Sequence, residues 1–204
     1  MGPVDAPTRW NHNIHYHGVV LDAIPPHART ALEVGCGEGM LARQLRERVP
    51  GVTAIDLDAP SIELARRQDP RGEIHYLRDD FLTHDFTPES FDLVASVAAL
   101  HHMPASTALA RMAALLRPGG RLAVVGLARA RLPADLPHEL AAVLAQRFHQ
   151  VTKAYWEHSA PTVWPPPETY RGMRRISARA LPGARYRRHL LWRYSLVWTK
   201  PRRA

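Results

Sequence analysis

The sequence predicts an α/β fold: a doubly wound, mostly parallel seven-stranded sheet with helices on both faces and a C-terminal antiparallel hairpin. Three observations predict it. Short apolar runs alternate with stretches of helical periodicity across residues 30–127, the pattern of successive βαβ units. A glycine-rich loop, Gly35-Cys-Gly-Glu-Gly39, separates the first run from the first helix. Two β-like runs joined by a tight connection close the chain, which reads as a hairpin.

Taken in order, Thr30–Gly35 is a short apolar run ending in glycine, which suits a buried parallel strand. Residues 38–48 carry Met40, Leu41 and Leu45 at helical spacing, and Pro50-Gly51 ends that helix. Val52–Asp56 reads as the second strand and Ser61–Gln68 as the second helix, closed by Pro70 and Gly72. Glu73–Leu77 is the third strand, Phe91–Val97 the fourth, and Ala105–Leu116 the helix after it. Pro118-Gly119-Gly120 turns the chain into a fifth strand, Arg121–Leu127. Pro137–Gln150 and Glu168–Leu181 look helical. Between them, Val151–Pro167 holds four prolines and reads as a structured loop, because proline forbids a continuous helix. Ala184–Leu191 and Tyr194–Lys200 form the hairpin, turning near Trp192-Arg193.

Composition narrows the class without naming a function. The chain has 204 residues, 46% of them apolar and 23% charged, as in ordinary globular proteins. No apolar run approaches the roughly 20 residues that span a bilayer, and the start lacks the pattern of a secretory signal, so the expected location is cytoplasmic. A single cysteine, Cys36, excludes an intramolecular disulfide framework. Net charge is +8, and residues 171–204 are rich in arginine with no acidic residue. Such a block reads first as an arginine-rich sheet edge, with an acidic partner as the alternative.

The chemistry-bearing residues cluster around the glycine loop. Glycines at a strand-to-helix junction let the backbone approach a ligand, and the helix start presents free amides to it. Asp56, at the end of the second strand, is placed to accept both hydroxyls of a ribose, as in dinucleotide enzymes. Three features part this chain from those enzymes. Met40 stands where the dinucleotide fingerprint has its third glycine, Glu33 lies two places before the first, and Asp79-Asp80 ends the third strand. A carboxylate there is suited to the exocyclic amine of an adenine.

Across Ala31–Leu127 the sequence resembles the class I S-adenosylmethionine-dependent methyltransferases. Glu33-Val-Gly-Cys-Gly-Glu-Gly39 is similar to their first motif, Ile55-Asp-Leu-Asp58 to the ribose-binding turn, and Arg78-Asp-Asp-Phe81 to the adenine-binding segment. Phe91–Val97 with Ala99-Leu-His-His102 resembles the fourth strand and its exit, and Leu116–Leu122 the turn into the fifth. The resemblance implies S-adenosylmethionine as cofactor and S-adenosylhomocysteine as product. It implies that Gly35 and Gly37 pass the methionine moiety, with Glu33, Cys36 and Val97 alongside. Asp56 would hold the ribose, Leu57 pack on the adenine, and Asp80 with the Phe81 amide read its edge. It places the last strand antiparallel between the fifth and sixth. One domain is then expected: an N-terminal lid (1–28), a cofactor-binding core (29–128), and substrate-side helices, loop and hairpin (129–204).

Histidines 12, 15 and 17 raise the question of a metal; a zinc site on one short stretch needs a second ligand cluster, which His101-His102 could supply, but the single cysteine gives no help and no metal is expected. The segment is expected instead to fold over the pocket, with Tyr16 or a histidine touching the cofactor. His101 and His102 are the candidate catalytic residues, since a base helps methyl transfer where the acceptor must lose a proton; cofactor contact and packing are their other readings. No Asn-Pro-Pro-Tyr or Asp-Pro-Pro-Tyr tetrapeptide follows the fourth strand, Cys36 belongs to the loop, and no RNA-binding module is appended. With the lid and the Tyr155–Trp164 loop as aromatic walls, the expected acceptor is a small planar or apolar molecule, in specialised metabolism. The expected assembly is a monomer or homodimer, with no membrane partner. An RNA or protein methyltransferase and an inactive cofactor sensor are the alternatives.

Overall fold

A computed structural model describes residues 10–152 and 164–202 of the chain. Tyr155 and Trp156, and most of the loop expected as a substrate wall, lie outside the described residues.

The sheet has seven strands: β1 (Thr30–Val34), β2 (Gly51–Asp56), β3 (Ile74–Arg78), β4 (Phe91–Val97), β5 (Leu116–Leu127), β6 (Arg185–Arg188) and β7 (Arg193–Thr199). Their order is β3-β2-β1-β4-β5-β7-β6. β1 pairs in parallel with β2 from Thr30↔Gly51 to Val34↔Ile55, and on its other side with β4. The chain therefore reverses direction across the sheet between β1 and β4, where open α/β sheets leave a crevice at their carboxyl ends. β7 runs antiparallel to both β5 and β6, in the arrangement the resemblance implied.

Alternation along the strands divides the core. Ala31, Ala54, Ala95 and Ala123 face α1 (His17–Leu21), α2 (Met40–Arg46) and α3 (Ala59–Arg67), meeting Val20, Leu41, Leu45 and Ile62. Leu32, Val34, Val94, Leu122 and Val124 face the other way, onto Leu109 and Met112 of α4 (Ala105–Leu115) and Met173 of α6 (Tyr170–Ala180). α3 starts at Asp58, whose carboxylate accepts the Ser61 amide at 3.0 Å, and α6 at Thr169, whose hydroxyl accepts from Gly172 at 3.0 Å. Both are ordinary N-caps that satisfy otherwise orphaned amides. α5 (Leu136–Thr152) lies against the hairpin, where its Glu139 accepts from the Trp192 indole at 2.8 Å.

Two boundaries differ from the sequence expectation. β5 begins at Leu116 rather than Arg121, because Leu116 pairs with Phe91 before Pro118-Gly119 bulges out and pairing resumes at Leu93↔Arg121. The hairpin turns over 189–192 and β6 is only four residues long. Leu191 and Trp192 take φ of 57° and 56° there, costing roughly 1–2 kcal/mol per residue for a side chain in the left-handed region. Neighbouring contacts hold them: Leu191 is buried and Trp192 is tied to Glu139.

The basic C-terminal block is partly neutralised. Arg188 pairs with Asp135 and Glu139, Lys200 with Glu89 at 3.2 Å, and Arg193 is buried. Arg185 and Arg187 stay exposed on β6, the edge strand, which charged side chains protect from pairing with another sheet.

Candidate active site

The glycine loop after β1 is fixed from β2. The amides of Gly35 and Cys36 both donate to the Ile55 carbonyl, at 2.8 and 3.2 Å. One carboxylate oxygen of Asp56 accepts the Gly37 amide at 2.8 Å and the other accepts the Asp58 amide at 2.9 Å. Asp56 thus organises both the loop and the turn into α3 before any ligand arrives. Gly35 has φ of 73° and a Cβ there would overlap the Ala99 side chain, so the loop lies directly on the turn after β4. Gly37 also has positive φ, at 52°, but a Cβ there would meet nothing within 4 Å. It faces open space.

That space is a cavity of about 520 Å³ over the crevice between β1 and β4. Nine of the ten residues expected to bind cofactor line it: Glu33, Gly35, Cys36 and Gly37 from β1 and its loop, Asp56 and Leu57 after β2, Asp80 and Phe81 after β3, and Val97 at the end of β4. Tyr16 does not. It is half-buried with its hydroxyl donating to the Leu190 carbonyl at 2.9 Å, so it anchors the N-terminal segment to the hairpin turn instead. Asn11, Asn13, Ile14 and His17 of that segment do reach the cavity. The sequence carried no periodic or motif signal for the two asparagines. His17 is buried against Gln44, 2.8 Å from its amide oxygen.

Glu33 is the electrostatic centre of the site. It is 3% exposed, and its Oε2 has no hydrogen-bond partner. Burial, with the Asp56 carboxylate nearby, pushes its pKa well above the usual carboxylate range. Asp79 and Asp80 have separate tasks. Both line the cavity, but Asp79 is bound by His84 at 2.7 Å, which lowers its pKa, whereas Asp80 accepts the Leu82 amide at 2.8 Å. Leu57 is 65% exposed at the rim, a large apolar side chain left in water beside an opening.

The two candidate catalytic histidines sit in a short turn after β4, with ring centroids 4.1 Å apart. His102 lines the first cavity and also a second, of about 330 Å³, which adjoins it. His101 lines only the second. Burial, aided by the charges of His102 and Arg193, pushes His101 down to about 4. His102 is lowered by burial with Asp56 opposing. His101 is therefore neutral at physiological pH, an acceptor or donor of hydrogen bonds and a weak base. Ala98, just before them, has φ of 53°, so the strand exit is strained beside the first cavity.

Arg193 lines neither cavity but holds Asn13, which lines the first, and sequence reasoning missed it. It is 7% exposed, its Nε and Nη2 both donate to the Asn13 side-chain oxygen at 3.1 and 2.7 Å, and its Nη1 donates to the Leu191 and Trp192 carbonyls. One arginine among many in the basic block gave no sign of this. Around it, Trp10 packs on His12, His15 and His149 at ring-centroid distances of 5.7, 5.9 and 4.8 Å. Among the described residues no group of three or more His, Cys, Asp or Glu is arranged to hold a metal ion.

A methyltransferase-domain family matches residues 32–124. An uncharacterized methyltransferase of Mycobacterium tuberculosis is 41% identical over 193 residues, covering 94% of this chain and 98% of that protein. The chain belongs to the class I S-adenosylmethionine-dependent methyltransferases. This methyltransferase also resembles, over 50% of its length and 40% of the relative's, the O-methyltransferase cnsE of Penicillium expansum at 36% identity. Solved methyltransferases share the fold at low identity. Geranyl diphosphate methyltransferase, in complex with GPP and sinefungin, has a TM-score of 0.65 at 13% identity, covering 92% of this chain and 78% of that one. A Haemonchus contortus N-methyltransferase bound to phosphomonomethylethanolamine and S-adenosylhomocysteine has a TM-score of 0.65 at 15%, covering 98% and 55%. No helix among the described residues is long and apolar enough to cross a membrane.

Proposed function

We propose that this methyltransferase binds S-adenosylmethionine in the first cavity and methylates a small-molecule acceptor. The observation that carries the reading is Glu33, which lines the cavity and whose buried Oε2 has no hydrogen-bond partner. A buried acidic oxygen left unserved is costly, and the ammonium of the cofactor's methionine moiety fits it in charge and in donors. Gly37, open to the same space, lets that moiety pass close to the backbone. Each Asp56 oxygen already accepts one amide and keeps a lone pair for one of two neighbouring ribose hydroxyls. Asp80 and the Phe81 backbone are placed for the adenine edge, and exposed Leu57 for its face.

When bound, the cofactor supplies a methyl carbon activated by a positive sulfur. The protein's contribution is then to align the acceptor and exclude water. The N-terminal segment carrying Asn11, Asn13 and His17 covers the cofactor cavity and does the second. His102, at the seam of the two cavities, and His101 behind it hold the acceptor and its departing proton. We further place the enzyme in the cytoplasm, acting as a monomer or homodimer on a specialised metabolite.

Calorimetric titration with S-adenosylmethionine, S-adenosylhomocysteine and NAD tests the reading. Binding of the two sulfur compounds, lost in Asp56→Ala and absent for NAD, is the expected result. Failure of both sulfur compounds to bind would refute it.

A further inference from the structure

The second cavity is built differently from the first. Its walls come from the turn after β4, the end of β5 at Leu127, the approach to α6 at Pro167-Glu168, and Met173 and Tyr194. Leu100, Met103, Pro104, Leu127 and Met173 make most of it apolar. Only a few polar groups interrupt that surface. The Nδ1 of His101 is buried without a hydrogen-bond partner, Glu168 supplies a carboxylate, and no lysine or arginine is among the described lining residues.

Each polar group restricts what enters. A carboxylate or phosphate would meet the Glu168 charge in apolar surroundings with no lysine or arginine among the described lining residues to pair with it, and like charges at close range in such a medium repel strongly. The His101 nitrogen requires a partner, and its tautomer decides whether that partner donates or accepts. A hydroxyl does both, whereas a carboxylate only accepts. An ammonium only donates, and must leave water for an apolar space. The thioethers of Met103 and Met173 favour the edge of an aromatic ring.

We propose that the second cavity is the acceptor subsite and takes an uncharged aromatic hydroxyl compound, a phenol, with His101 receiving the hydroxyl and Glu168 excluding anionic analogues of the same shape. The proposal rests on the reading that the first cavity holds the cofactor, because the two meet at His102 and Met103. His101 acts on the hydroxyl directly; Glu168 acts on specificity alone.

The test uses the full chain saturated with S-adenosylhomocysteine and three probes of one shape: 2-naphthol, 2-naphthoate and 2-naphthylmethylamine. Their binding is read by calorimetry, so no turnover is needed. 2-Naphthol is expected to bind at least tenfold more tightly than either charged probe. Glu168→Gln is expected to improve 2-naphthoate at least threefold while leaving 2-naphthol unchanged. His101→Phe is expected to weaken 2-naphthol about tenfold. Naphthoate or the amine binding as tightly as naphthol, an unchanged naphthoate affinity in Glu168→Gln, or no binding of any probe to the loaded protein would each overturn the proposal. Failure of S-adenosylhomocysteine itself to bind falls instead on the cofactor reading, and is seen in the first titration.

Discussion

Gly35→Ala places a methyl group where two loops touch, and its cost divides into separable parts. The backbone at Gly35 has φ of 73°, so any Cβ there costs roughly 1–2 kcal/mol from the left-handed conformation alone. That Cβ would also overlap the Ala99 side chain, and forcing an extra carbon into a packed contact costs about 1–3 kcal/mol. The single variant should therefore lose ~2–5 kcal/mol of stability. Ala99→Gly removes the atom that is struck, at its own cost of about 0.4–1 kcal/mol through the unfolded chain. In the double variant only the backbone penalties remain. Urea denaturation of the four proteins at constant pH gives the cycle, and the expected coupling is ~1–3 kcal/mol in favour of the double variant. Additivity within about 0.5 kcal/mol, the behaviour of independent sites, would refute the claim that the glycine loop is seated on the turn after β4.

The other expectations concern charge, space and the N-terminal segment. Gly37→Ala strikes nothing in the protein, so it should cost only ~1–2 kcal/mol of stability yet abolish S-adenosylhomocysteine binding by calorimetry; retained affinity would place the ligand elsewhere. Glu33 has a raised pKa, so its contribution to stability is fully present below the ordinary carboxylate value of about 4.3 and is lost as pH rises from there through the raised value. Glu33→Gln stays neutral and should flatten that decline, leaving the ligand-free variant at least as stable as the parent at pH 8 in thermal denaturation. The same variant should bind S-adenosylmethionine on the order of tenfold or more weakly, because a charge-assisted bond is worth about 1.5–3 kcal/mol. Arg193→Lys loses the two-pronged grip on Asn13 and should speed amide exchange at residues 11–17 roughly tenfold to hundredfold; unchanged exchange would show that the segment is held by other contacts.

Legibility in the sequence followed the range of the forces involved. Strands β1, β2 and β4 were readable because central parallel strands are mostly apolar runs, as in Phe91–Val97, whose bounds match. Glu33, Asp56 and Asp80 were readable because each stands at a strand end, where topology alone brings it to the crevice. Tyr16 was expected at the cofactor because it is aromatic and near the lid, but a hydroxyl takes the partner that geometry offers, here the Leu190 carbonyl 174 residues away. The role of Arg193 was hidden for the same reason, since no local pattern marks which arginine will be buried. The early start of β5 was missed because Pro118 and Gly119 signal a turn, and a bulge uses the same residues without ending the strand.

The corner at Leu191-Trp192 has a consequence beyond its own geometry. Tyr16 bonds to the carbonyl just before it, Arg193 just after it grips Asn13, His138 of α5 lies 2.8 Å from the carbonyl of His189, and Trp192 itself holds Glu139. The N-terminal segment and α5 are therefore moored to one corner of the sheet as well as to each other, through Trp10 and His149. Free energy spent in ordering either one is shared through that corner, so a ligand that fixes the segment lowers the entropy still to be lost when α5 settles, and by reciprocity the converse holds.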